Sequence, residues 1–156
     1  MDSRAKTARR VGTIGYQAAT VDSFLAALRA AHIELVVDVR AVASSRRPGF
    51  SKSRLAANLA EQGIGYVHLR GLGTPAKGRA AARAGRFAEM RRLYQRHLAT
   101  LEAKAELDEL TELVRSGPRV CLLCFEHDPA HCHRTMVAAA LGERLPIEVE
   151  HLSPAP

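Results

Sequence analysis

The chain has 156 residues and a net charge of +7, with 47% apolar and 25% charged residues. That length suits one domain able to bury about two-thirds of its unfolded surface without disulfide staples. It has no apolar run of the roughly 18 residues that a bilayer span requires and no signal-peptide pattern behind the charged start MDSRAKTARR. Its three cysteines, Cys121, Cys124 and Cys132, are odd in number and crowded into twelve positions, unlike a secreted disulfide framework, so a cytoplasmic protein with free thiols is expected.

In chain order, residues 1–10 are expected to be a disordered basic tail and 11–152 a single α/β domain. Val11 to Tyr16 predicts a short strand entering a Gly turn, after which Thr20 caps a helix carrying Val21, Phe24, Leu25 and Leu28 at helical spacing. Leu35-Val36-Val37-Asp38-Val39 is a β-branched run of the kind buried on both sheet faces. Ala41 to Ser51, with Arg46, Arg47, Pro48 and Gly49, predicts a loop. A helix over about 52–62 buries Leu55 and Leu59 and stops at Gly63, and Gly65 to Leu69 follows as the third strand.

Gly71 to Gly85 has no hydrophobic period and predicts an irregular, functional connection able to cover a ligand. Helical spacing resumes at Phe87 and runs to Val114, predicting two helices jointed near Thr100. Arg119 to Cys124 is the fourth strand, about 130–141 a helix, and Pro146 to His151 the fifth strand. Alternating strands and helices imply a mostly parallel sheet, with ligands beyond the strands' carboxyl ends. Those ends release Tyr16, Asp38 with Arg40 and the Arg46-Arg47 loop, and Cys124 with Glu126, so one rim should gather them.

The densest chemistry lies in Cys124-Phe125-Glu126-His127-Asp128-Pro129-Ala130-His131-Cys132-His133-Arg134. Asp128 as N-cap and Pro129 at the first helical position would place Cys132, His133 and Arg134 near a helix opening, where the dipole and Arg134 favour a thiolate. Three readings stay open. In the first, Cys124 is small apolar core, Glu126 pairs with Arg134 or Arg40, and His133 is a packing residue. In the second, the segment is an anion or nucleotide site with or without a catalytic thiol. The third makes Cys124, His127, His131 and Cys132 metal ligands, but their spacing matches no recognised zinc pattern and adjacent His–Cys neighbours do not easily chelate one ion, so no metal site is assigned.

Asp38 and Arg40, leaving an apolar strand, need partners: either a salt bridge tying strand ends, or a role orienting substrate and gripping phosphate. Charge is also uneven. Eight basic residues fall from Arg70 to Arg96 against the single acid Glu89, and five acids against Lys104 over 102–112. One reading is a genome rich in Arg and Ala; the other is a polyanionic partner, nucleic acid or a phosphorylated small molecule, bound in a salt-dependent way.

The chain resembles the uncharacterised family called domain of unknown function 488. The resemblance rests on Thr13-Ile14-Gly15-Tyr16, Val37-Asp38-Val39-Arg40 with Ser45-Arg46 and Phe50, Gly63 to Leu69 with Leu72-Gly73, and Cys124-Phe125-Glu126 … Pro129 … Cys132-His133-Arg134. It implies a single-domain, Rossmann-like three-layer fold with about five strands, and places Asp38, Arg40, Cys124, Glu126, Cys132, His133 and Arg134 among the family's signature residues. The family more often reads Gly-His-Ser at the first motif, where this chain has Tyr16. No activity and no cofactor follow from it.

Two function classes with a chemical site are weighed. One is a phosphate-recognising protein acting on nucleic acid or a nucleotide, with Arg40, Arg46, Arg47, Arg134 and Tyr16 binding and Cys124, Glu126, Cys132, His133 and Asp38 as catalytic candidates. The other is a thiol-dependent transferase using Cys124 or Cys132, with His133 as base. The Val-Asp-Val-Arg strand resembles that of rhodanese-like domains, although those keep their Cys and Arg close in sequence, whereas Cys124 and Arg134 are ten apart. A third class, a non-catalytic domain pairing through helices 87–116, is also open.

Overall fold

The computed structural model describes residues 8–156. Five strands, β1 (Arg9–Gly15), β2 (Leu35–Asp38), β3 (Gly65–His68), β4 (Val120–Cys124) and β5 (Ile147–Leu152), form one sheet in the order β3-β2-β4-β1-β5. Every pairing is parallel, so the expected mostly parallel sheet is wholly so. β1 starts two residues before the expected strand because Arg9 and Arg10 pair with Ile147 and Glu148. The expected tail therefore loses its last two residues, and its residues 1–7 lie outside the described part.

Helices cover both faces. α1 (Val21–Ala30) and α2 (Lys52–Glu61) pack Phe24, Leu28, Leu55 and Leu59 against Ile14, Val36 and Leu123. On the other face lie α3 (Ala76–Arg83), α4 (Phe87–Leu98), α5 (Leu101–Arg115) and α6 (Arg134–Gly142), where Met90, Tyr94, Leu110 and Leu141 meet Val37 and Leu122. This is the three-layer, Rossmann-like arrangement. Thr20 caps α1, its side chain accepting from the Ser23 amide, and Thr100 caps α5 at the expected joint. No described helix is long and apolar enough to cross a membrane.

Two local expectations change. Residues 71–85 are not an irregular connection: a 3₁₀ turn at Arg70–Leu72 leads into α3. The segment hides its helix because alanines, the best helix formers, carry it without large apolar residues to show a period. The last helix begins at Arg134 rather than near 130. Asp128 and Pro129 do start a helical turn, but it is a separate 3₁₀ piece, Pro129–His131, closed by Cys132 in an extended conformation (φ −126°, ψ 142°). Cys132 therefore does not sit in the opening of a continuous helix, and the dipole argument for it fails.

β4 is buried along its whole length and alternates its side chains, Val120, Leu122 and Cys124 to one core and Cys121 and Leu123 to the other. Its neighbours β1 and β2 lead to helices on one face, whereas β4 leads to α6 on the opposite face. Connections that part in this way open a crevice at the strands' carboxyl ends. Gly15, at the end of β1, lets the chain after β4 cross close by: an added Cβ would fall on the Glu126 carbonyl. We expect Gly15→Ala to destabilise the fold by about 1–3 kcal/mol through overpacking against backbone, read as a lowered urea midpoint.

Candidate functional site

The crevice is a cavity of about 330 Å³. Its walls come from four stretches: Tyr16 after β1, Arg40 and Val42 after β2, Thr74 with α3 and α4, and the chain from Cys124 to His133 after β4. The acid–arginine segment and the cysteine-rich turn do converge. The Val39 amide donates to the Leu123 carbonyl at 3.0 Å, and the Val39 carbonyl accepts from His133 Nε2 at 2.6 Å.

Asp38 and Arg40 form a buried pair at 2.7 Å. Arg40 donates to Asp38 through its backbone amide, Nε and Nη2, and its Nη1 reaches the Tyr16 hydroxyl (3.0 Å) and the Phe50 carbonyl (2.7 Å). Tyr66 donates to the same carboxylate at 2.5 Å. Burial works against the Arg40 charge, but the bonds and field of Asp38, aided by Tyr16, outweigh it and hold the guanidinium's pKa above its ordinary value. Tyr66 is likewise pushed up, first by burial and then by Asp38. Tyr16 stacks on Phe50 with centroids 4.5 Å apart and serves as wall as much as hydrogen-bond partner. Of the two accounts of Asp38 and Arg40, the salt bridge tying strand ends is the contact present.

The second cation, Arg134, has no exposed surface and, among the described residues, no carboxylate in contact. Its Nη1 donates to the Glu126 carbonyl (2.6 Å) and to Cys124 Sγ (3.3 Å), and its Nη2 to the His127 carbonyl (3.3 Å), while Nε is buried without a partner. Burial pulls its pKa down to about 10, opposed by Cys121, Glu126 and Asp128. Glu126 pairs with neither Arg134 nor Arg40: Arg134 holds its backbone carbonyl, and burial raises the carboxyl against the opposing pull of His131 and Arg134.

The sulfurs of Cys124 and Cys132 lie at bonding distance, a disulfide pairing with Cα atoms 7.3 Å apart, where three separate free thiols were expected. Cys121 stays free and buried on the far side of β4, and burial drives its pKa strongly upward. His133 is buried, and that burial lowers its pKa to about 4, so it is neutral. A carbonyl only accepts, so the bond to Val39 puts the proton on Nε2 and leaves the Nδ1 lone pair facing Cys132 Sγ at 3.8 Å.

Cys124, Cys132, His133, Glu126, Arg40 and Tyr16 thus line one cavity, with Asp38 and Arg134 directly behind it. Arg46 and Arg47 do not line it; Arg47 donates instead to the Ala19 carbonyl. His131, also in the wall, stacks on Phe87 with centroids 3.9 Å apart. Thr74, Arg79 and Met90 complete the wall and were missed in the sequence reading. The glycine-rich segment's suspected covering role pointed to the first two, Thr74 just before α3 and Arg79 on it; Met90 comes from α4 and had no such signal.

Fold and crevice together define a parallel α/β protein with a cysteine–histidine–arginine site at the carboxyl edge of its sheet. The chain belongs to the family described as Domain of unknown function DUF488, which matches residues 20–141. That match takes in every cavity residue named above except Tyr16. Neither a curated protein nor a solved structure matches the chain.

Removing one member of a buried ion pair strands the other. Asp38→Ala is expected to cost about 3–5 kcal/mol, and a paired apolar replacement, Asp38→Leu with Arg40→Met, to recover part of that loss. Urea unfolding followed by circular dichroism compares the two.

Proposed function

We propose that this protein is a thiol-dependent enzyme in which Cys124 is the nucleophile and Cys132 the resolving thiol. The observation supporting it is two cysteine sulfurs in contact at the wall of a cavity, with the buried Arg134 guanidinium, which has no carboxylate partner among the described residues, 3.3 Å from one of them. A guanidinium in that position favours the thiolate of the reduced pair, and the attacking species is the thiolate. Ala41, Val42, Ala82, Met90 and Phe125 give the cavity an apolar lining that suits the uncharged part of a substrate.

The chemistry that uses both sulfurs is exchange with an electrophilic sulfur compound. The Cys124 thiolate attacks one sulfur of a substrate disulfide, the new Cys124–substrate bond forms as the old S–S bond breaks, and the first thiolate leaves. Cys132, hydrogen-bonded toward His133 Nδ1, then attacks Cys124 Sγ; its proton goes to the second departing sulfur. The substrate disulfide is reduced to one thiolate, which takes a proton from water, and one thiol, and the protein dithiol is oxidised to the Cys124–Cys132 disulfide, to be reset by an external dithiol.

The test is alkylation of the reduced protein by iodoacetamide at pH 6–7, mapped by mass spectrometry. Cys124 is expected to react well below the roughly 8.5 of an ordinary thiol. Arg134→Gln should slow it by about tenfold, the change in thiolate fraction when a charged neighbour is lost. An inert Cys124 in the folded wild-type protein at that pH rules the reading out.

A second reading, a nucleic-acid strand on the α3–α4 surface, is favoured by one observation: Arg83, Arg86, Arg91, Arg92 and Arg96 are exposed, and among the described residues Arg86 alone of these has an acidic partner, Glu89. Arg83 also lines the cavity. Heparin retention that falls steeply with salt, and further with Arg91→Ala/Arg92→Ala, is the expected result; salt-independent retention, or retention the double variant leaves unchanged, removes this reading.

A further inference from the structure

The backbone spacing of Cys124 and Cys132, with His133 beside them, leaves more room than a disulfide needs and suits a cation. We propose that, once the Cys124–Cys132 link is reduced, these three residues form a zinc site with its fourth position open to the cavity. The proposal uses the same side chains as the thiol reading but not its chemistry.

The geometry comes from three elements. Cys124 ends β4, Cys132 stands in the extended break after the 3₁₀ turn, and His133 caps α6. Their three ligand atoms lie within 4.8 Å of one another, and all three residues are buried. Zinc holds sulfur at about 2.3 Å and nitrogen at about 2.0–2.1 Å in a tetrahedron, which puts its ligand atoms roughly 3.5–4 Å apart. Cys132 and His133 are adjacent, which the sequence counted against a metal, but with Cys132 extended His133 Nδ1 and Cys132 Sγ stand 3.8 Å apart, which already meets that. The Cα separation of Cys124 and Cys132, 7.3 Å, is wider than the roughly 4.4–6.8 Å that disulfides usually span. Two sulfurs sharing an ion need more room than two sulfurs sharing a bond, and this backbone supplies it.

The surroundings also fit. A ligating histidine ordinarily donates its other ring N–H to a carbonyl or carboxylate, which fixes its tautomer. His133 does so to Val39 at 2.6 Å, leaving Nδ1 as the free donor atom. Arg134 Nη1 gives Cys124 Sγ the N–H···S bond that a ligating thiolate accepts from its outer shell. Two thiolates and a neutral imidazole make a charge-neutral complex with Zn²⁺, and that donor set favours zinc among common divalent ions. Three protein ligands with a fourth place toward a cavity is the pattern of an open rather than a closed zinc site. His127 and His131 stay outside the group: His127 is exposed and His131 stacks on Phe87. The ion and the disulfide exclude each other, since each needs both sulfurs.

The experiment uses the full chain, reduced with a non-chelating phosphine under argon, loaded with zinc and dialysed. Elemental analysis is expected to give one zinc per chain, none in the oxidised protein, and cobalt in its place should show sulfur-to-cobalt charge-transfer absorption. His133→Ala should weaken binding by more than the roughly 10–100-fold lost with an outer-shell partner. His133→Cys should restore it, and Cys132→Ser carries the same loss without disturbing the Val39 bond. Substoichiometric zinc in the reduced wild type, unchanged affinity in folded His133→Ala, or preferential one-to-one capture of copper(I) would each overturn the assignment. The two proposals fail separately. Rapid alkylation of Cys124 with no zinc uptake sinks this one alone, and tight zinc binding with an inert metal-free Cys124 sinks the thiol reading alone.

Discussion

A guanidinium cut off from water must be met by acceptors, and at the carboxyl edge of this sheet Arg134 finds two backbone carbonyls and a sulfur instead of a carboxylate. That requirement shapes the crevice. To meet it, the chain after β4 curls back so that Glu126 and His127 turn their carbonyls inward. Gly15 must lack a side chain to let them approach, and Cys124 is held with its sulfur beside the charge. Desolvation, which lowers the Arg134 pKa, is the same force that makes an anionic neighbour favourable.

Arg40 solves the same problem in the opposite way. It stands two residues from its carboxylate, so pair and hydrogen bonds close locally, and Tyr16, Phe50 and Tyr66 complete the network. One buried arginine is satisfied and rigidifies the rim; the other, among the described residues, is left one acceptor short. The unpartnered Nε of Arg134 marks that difference. Fully satisfied polar networks fix structure, and incomplete ones are where chemistry is found.

Much of the frame was legible because apolar patterning is local. The continuous Leu35–Val39 and Val120–Cys124 runs announce strands buried on both faces, and Thr20 and Thr100 mark helix starts that occur where expected. α3 was not legible, since a helix of alanines and arginines has no apolar stripe to read. Nor was the Cys124–Cys132 contact, because it depends on Cys132 leaving the 3₁₀ turn in an extended conformation rather than continuing a helix. Sequence distance misled at Cys124 and Arg134: ten positions apart, they set this chain off from rhodanese-like spacing, yet the turn brings them to 3.3 Å. The arginines of the 46–47 loop looked equivalent to Arg40, and only the three-dimensional path separates them from the cavity.

The pleat of β4 has one more effect. Three cysteines permit three different pairings, but Cys121 faces the opposite core from Cys124, with the sheet itself as a partition. Oxidation in the folded state therefore has a single intramolecular outcome, and no isomers need sorting. That single alternation of side chains keeps the paired sulfurs and the third cysteine on opposite sides of the sheet, so a pairing through Cys121 is closed to the folded chain.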